Sequence, residues 1–145
     1  MTITTGTMTD EQRKSVALEF LKRVDSGGNV VELFADDAEF CFPKYGMVRG
    51  IDKIQEFFGQ LGGIISSIEH HTAYFNYVVD GDKVVVEGTS HGTTANGVEW
   101  RAGVTSSGPW CDVFEIRDFK IQRLFVYLDP DYAGEDTARY PWLNK

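Results

Sequence analysis

The stretch from Trp110 to Asp129, WCDVFEIRDFKIQRLFVYLD, constrains the fold more than any other, because its first half alternates strictly. Successive strand side chains point to opposite faces, so Trp110, Asp112, Phe114 and Ile116 share one side while Cys111, Val113, Glu115 and Arg117 share the other. Two antiparallel strands with a tight connection are expected. Asp112 is the misfit on the apolar side. A carboxylate between Trp110 and Phe114 must be paired, hydrogen-bonded or protonated, since burying a bare charge is prohibitively costly. It is therefore either a structural anchor or part of a site.

Upstream, the period of the hydrophobic pattern changes twice. Thr9-Asp10-Glu11-Gln12 has the form of a capping box, and Val16, Phe20, Leu21 and Val24 make a helical stripe that Gly27-Gly28 ends. Asn29 can cap a short second helix carrying Val30, Leu33 and Phe34, ending at Asp36-Asp37. A first strand is expected over Ala38 to Phe42, stopped by Pro43, and a third helix from Ile51 to Leu61, broken by Gly62-Gly63. From Ile65 the period becomes two. One long strand to Val79, an Asp80-Gly81 turn, a returning strand from Lys83 to Thr93 and a further strand from Val98 to Thr105 lead into the opening stretch. This segregation implies an α+β fold: three N-terminal helices packed on a strongly curved antiparallel sheet, forming a cone with an internal pocket.

The 145 residues suit a single domain spanning 1–145, with residues 1–8 as a flexible arm and 132–145 as a tail over the pocket or a partner. A net charge of −8 without a basic cluster argues against nucleic acid and anionic membranes. The opening MTITTGTMTDEQRK lacks the basic-then-apolar pattern of a leader, which points to a cytoplasmic location. Cys41 and Cys111 have no metal-ligand spacing, and no GxGxxG or P-loop occurs, so neither a metal nor a nucleotide cofactor is expected. A hydrophobic small molecule and a second copy of the chain are the expected partners.

Together, ADDAEFCFP, the DGDKVVVEG hairpin and WCDVFEIRDFKIQRLFVYLD resemble the nuclear transport factor two-like superfamily, in its SnoaL-like, ketosteroid isomerase-like branch. The resemblance spans roughly residues 10–130 and implies a pocket between helices and sheet, with dimers through the outer sheet face, here Arg123, Phe125 and Tyr127. Ketosteroid isomerases place their general base where this chain has Phe42, and a protonated Asp that stabilises an oxyanion where it has Asp112. Limonene epoxide hydrolases place their catalytic Arg and two Asp where it has Gly88, Ser90 and Val126, which excludes that chemistry. Scytalone dehydratase-like members carry a catalytic His on the strand that contains Glu69-His70-His71. The odd positions of this strand are the more apolar, which favours His71 as the residue facing the pocket, with Glu69-His70-His71 leaving the choice between His70 and His71 open, and the same register puts His91 on the outer face.

His71 and Asp112 are thus the candidate catalytic residues, either as a His-Asp dyad or as a buried polar bridge, with Asp112 alternatively a neutral donor. Phe40, Phe42, Tyr45, Ser90, Trp110, Phe114 and Val126 are the candidate binding residues. The implied function is a small cofactor-independent enzyme that moves a proton beside the carbonyl of an apolar or polycyclic compound, of isomerase, cyclase or dehydratase type. The alternative is a non-catalytic binding protein using the same pocket.

Overall fold

The computed structural model describes residues 7–143. Two α-helices, α1 (Asp10–Ser26) and α2 (Ile51–Leu61), pack on eight strands: β1 (Phe34–Phe42), β2 (Gly46–Arg49), β3 (Ile65–His70), β4 (Asn76–Asp80), β5 (Lys83–Thr94), β6 (Glu99–Arg101), β7 (Pro109–Arg117) and β8 (Lys120–Leu128). The strands run in the order β2-β1-β8-β7-β5-β3. Long β5 pairs with β4 and β7 along its first half and with β3 and β6 along its second. Among the described residues no helix is long and apolar enough to cross a membrane.

Helix α1 begins where the capping box requires. Thr9 Oγ1 accepts from the Gln12 amide at 3.1 Å, and Gln12 Oε1 accepts from the Thr9 amide at 2.9 Å. It ends at Gly27, whose φ of 72° only glycine adopts freely. The face it buries carries Ala17, Phe20 and Leu21, and the Phe20 ring meets Phe34 and Phe114 edge-on at 5.7 and 5.8 Å. Helix α2 contributes Ile54 and Phe57. On the sheet side the inward residues are Ala38, Phe40, Phe42, Val84, Val86, Phe114, Ile116 and Leu124, all buried. Each large side chain so removed from water contributes about 1.5–3 kcal/mol.

Several expectations need correction. The second helix is a single 3-10 turn, Val31–Leu33, because the Val30–Leu33 spacing fills one turn and Phe34 then enters β1 as a core residue. The turn's N-cap position is Val30 rather than Asn29, whose Oδ1 nonetheless accepts from the Glu32 amide at 3.3 Å. The Asp36-Asp37 pair lies inside β1, between Phe34 and Glu39, where the register with β8 shifts and both acids are exposed. Nor is the sheet wholly antiparallel, since β1 runs parallel to β8 with Phe40 opposite Leu124. The expected long strand from Ile65 is interrupted at the 3-10 turn Thr72–Tyr74, and of the strand expected over Val98 to Thr105 only Glu99–Arg101 is regular. Residues 1–6 of the expected arm lie outside the described residues, but Met8 is buried, with its carbonyl accepting from Arg13 Nη1 at 2.8 Å.

Candidate functional site

Strand β7 aims Trp110 and Asp112 inward, as their shared parity requires, into a cavity of about 50 Å³ between the sheet and the two helices. Its walls are aromatic: Phe40 and Phe42 from β1, Phe57 and Phe58 from α2, and Phe20 from α1. Val126 and Leu128 of β8, His70 of β3 and Tyr132 of the C-terminal segment complete them. Phe42, Phe57, Leu61 and Tyr132 also line an outer vestibule of about 590 Å³, together with Tyr45, Lys44 and the carboxylates of Asp131, Glu135 and Asp136. A small inner chamber therefore adjoins a larger open one.

Two polar groups of the inner chamber, Asp112 and Trp110, are unusual in having no partners among the described residues. Asp112 is 4% exposed and makes no hydrogen bond among the described residues, and burial pushes its carboxyl up to about 8. At neutral pH it is consequently a neutral acid with an O–H to donate. Two residues away, the Trp110 indole Nε1 is buried without an acceptor. Leaving a buried polar group without a partner costs about 1–3 kcal/mol, which marks this wall as a candidate ligand site. Tyr132 is raised above the ordinary phenol range, first by burial and then by the nearby Asp112 and Asp129 carboxyls. It too stays neutral.

On the facing side, the imidazole of His70 is fixed. Its Nδ1 lies 2.5 Å from Asp25 Oδ1, and Asp25 Oδ2 accepts from the His70 amide at 2.9 Å. A carboxylate can only accept, so Nδ1 carries the ring proton and Nε2 is left as the nitrogen able to take one. Asp25 sits in the last turn of α1, just before the Gly27 cap, which is what carries its side chain to the end of β3. The ring edge of His70 also meets Trp110 at 5.1 Å. His70, held by Asp25, and the unpaired Asp112 and Trp110 thus line one largely hydrocarbon chamber, with the His70 ring beside that of Trp110.

His71, the expected catalytic residue, does not join Asp112. Its Nδ1 is 2.7 Å from Thr89 Oγ1 and its Nε2 is 2.7 Å from His91 Nδ1, and His91 in turn reaches Glu69 at 3.3 Å. Burial, then the His91 and Arg101 charges, hold His71 below the ordinary imidazole value. The cause of the misplacement is local. The turn at Thr72–Tyr74 inverts the parity of the chain, so that odd residues Tyr77 and Val79 pack on the core from β4 while even residues Ile68 and His70 line the cavity from β3.

Of the other expected residues, Phe40, Phe42, Trp110, Asp112 and Val126 line the chamber, and Phe42 and Tyr45 the vestibule. Phe114 is fully buried against Phe20 and does not reach the chamber. Ser90 is excluded from ligand contact because its hydroxyl is committed, donating to the Gly108 carbonyl at 3.1 Å and accepting from Trp100 Nε1 at 3.2 Å. Sequence reasoning missed Asp25, which stands 45 positions from His70 with no local motif to mark it. Among the described residues no group of three or more His, Cys, Asp or Glu side chains is placed to hold a metal ion.

Comparison with solved structures shows the same fold at low identity. An NTF2-like protein from Anabaena variabilis is 20% identical with a TM-score of 0.69, over 88% of this chain and 98% of that one. TerC, co-crystallised with polyporic acid, is 18% identical with a TM-score of 0.68, over 81% and 92%. An LEH-like epoxide hydrolase of M. tuberculosis is 19% identical with a TM-score of 0.62, over 82% and 84%. No curated protein matches the sequence. The family model for the SnoaL-like domain matches residues 19–124, which takes in the second half of α1, both cavity-facing residues of β7 and the first half of β8, and the chain therefore belongs to the SnoaL-like domain family.

Proposed function

We propose that the protein is a small-molecule enzyme of isomerase, cyclase or dehydratase type, in which His70 removes a proton beside a carbonyl whose oxygen is held by Asp112 and Trp110. The observation that carries this reading is that a histidine oriented by Asp25 and two unpaired groups, Asp112 and Trp110, line one chamber. In the first step the C–H bond adjacent to the carbonyl breaks, its proton passes to Nε2 of His70 and the electron pair moves to the carbonyl oxygen. The neutral Asp112 O–H and the Trp110 N–H then bond an oxygen that has become an enolate. Asp25 stabilises the imidazolium formed and fixes its orientation. This replaces a His71–Asp112 dyad with an Asp25–His70 dyad and makes Asp112 a donor. Supporting the choice of ligand are the aromatic walls and the binding of polyporic acid by a protein of the same fold.

A second reading, a binding protein for an apolar compound, is favoured by the hydrocarbon at Phe40, Phe42 and Val126. One experiment separates the two. Aryl ketones and steroid-like ketones are screened for binding, and each binder is assayed in deuterium oxide for exchange beside its carbonyl. Wild-type exchange reduced about 10²–10⁴-fold by His70→Gln, the usual worth of a general base, supports catalysis. Tight binding with no exchange by the wild type refutes it in favour of the binding protein.

A further inference from the structure

We propose that Tyr132 is a ligand-binding residue that recognises a second oxygen, so that the compounds taken by this site are oxygenated ketones, with an ether, hydroxyl or further carbonyl oxygen within a few bonds of the reacting carbonyl. The proposal rests on the proton-transfer reading of the same chamber and adds to it the chemistry of the substrate.

Tyr132 lies beyond the residues matched by the family model, in the segment after β8. That segment is pinned by its own acids: Asp131 Oδ1 accepts from the Glu135 amide at 2.9 Å and Oδ2 from the Asp136 amide at 2.8 Å, while Ser107 Oγ donates to the Asp129 carbonyl at 3.1 Å. The phenol ring is tucked against Trp100 at 4.6 Å and is 6% exposed. Its hydroxyl makes no hydrogen bond among the described residues and, unlike the Trp110 Nε1, is not sealed from solvent, so it keeps a donor free for a ligand. Tyr132 also borders both the inner chamber and the vestibule.

Size and donor count together define the ligand. The inner chamber, at about 50 Å³, is far below the roughly 300–1,000 Å³ of ordinary ligand pockets, whereas the vestibule, at about 590 Å³, falls within that range. Only the reacting head of a ligand enters the chamber, and its body lies outside in the vestibule. Three groups wait at the head: the Asp112 acid, the Trp110 indole and the Tyr132 phenol, all donors at neutral pH. A single carbonyl oxygen has two lone pairs, which Asp112 and Trp110 occupy as neighbours on one strand. The third donor, at the chamber's mouth, requires another acceptor on the same small head.

The test uses two ketones of equal size, naphthyl propyl ketone and methoxymethyl naphthyl ketone, which differ only by an oxygen in place of a methylene. Their affinities are measured by calorimetry for the wild type and for Tyr132→Phe, which keeps the ring on Trp100. A neutral hydrogen bond is worth about 0.5–1.5 kcal/mol, or roughly two- to tenfold. The wild type is therefore expected to bind the methoxy compound about fivefold more tightly, and Tyr132→Phe to abolish or reverse that preference. Equal wild-type affinities, a preference that survives in Tyr132→Phe, or an equal loss for both ketones overturns the proposal while leaving proton transfer by His70 intact. Failure of the wild type to bind either ketone overturns both.

Discussion

Replacing Asp112 by Asn should change the pH dependence of stability more than stability itself. The Asp112 carboxyl moves from an ordinary value of 3.8 to about 8 because burial disfavours its charged form. A group that holds its proton more tightly when folded makes the native state bind more protons than the unfolded chain throughout the interval between those two values. Stability therefore falls as pH rises from about 4, and stops falling above about 8. Each unit is worth about 1.4 kcal/mol, so between pH 5 and pH 8 the wild type should lose about 4 kcal/mol that the non-titrating Asn variant keeps. Any fixed cost of placing an amide in the chamber offsets the two curves without tilting them. Urea denaturation at half-unit steps from pH 5 to 9 gives the difference directly, and every other titrating group cancels in it. A difference that stays constant within about 1 kcal/mol would refute the burial argument. Carbon-13 detection of the carboxyl, with a midpoint near 8, supplies an independent check. Ketone exchange should decline above the same midpoint, as the O–H donor is lost.

Two further outcomes follow from other parts of the molecule. A Cβ at Gly88 would stand 2.8 Å from Trp110 Cζ2 and 3.0 Å from Phe75 Cδ1, so Gly88→Ala should destabilise by about 1–3 kcal/mol, read by thermal melting, and weaken ketone binding by displacing the indole. Melting and binding indistinguishable from wild type would contradict this close approach. On the outer sheet face, Arg123 stacks on Phe125 at 3.5 Å beside Tyr127, Met47 and Val78, which are 55%, 63% and 63% exposed. We propose that this surface pairs two copies. Sedimentation equilibrium should give twice the 16.3 kDa chain mass at tens of micromolar, with Phe125→Glu returning the monomer; a wild-type monomer refutes the pairing.

How legible the molecule was depended on whether a pattern stayed local. The alternation of β7 and the Asp80-Gly81 turn translate directly into structure, because strand parity and glycine dihedrals are set by neighbouring residues. Asp112 stood out for the same reason, as one polar side chain on an apolar face. The histidine was read one position off because a period of two was carried across Thr72–Tyr74, where three residues of 3-10 turn reverse the parity. Asp25 was invisible for a different reason: its role depends on how α1 docks across β3, which no short-range pattern encodes. The short turn at Val31–Leu33 likewise reads as helix until Phe34 is known to be needed inside the sheet.

The parallel pairing of β1 with β8 sets the order in which the chain can mature. Phe40 stands opposite Leu124, so this pairing closes a loop of more than half the chain, and β1 emerges during synthesis long before its partner. In the interval only β2 can pair with β1 as a strand, through the short hairpin that sets Phe40 opposite Val48, while α1 and α2 can already pack on its inner face. Nascent chains consequently carry the β8-facing backbone edge of β1 unpaired until β8 has been made. A chain cut short before β8 would leave that edge open for good, the kind of unpaired strand edge on which other chains can add.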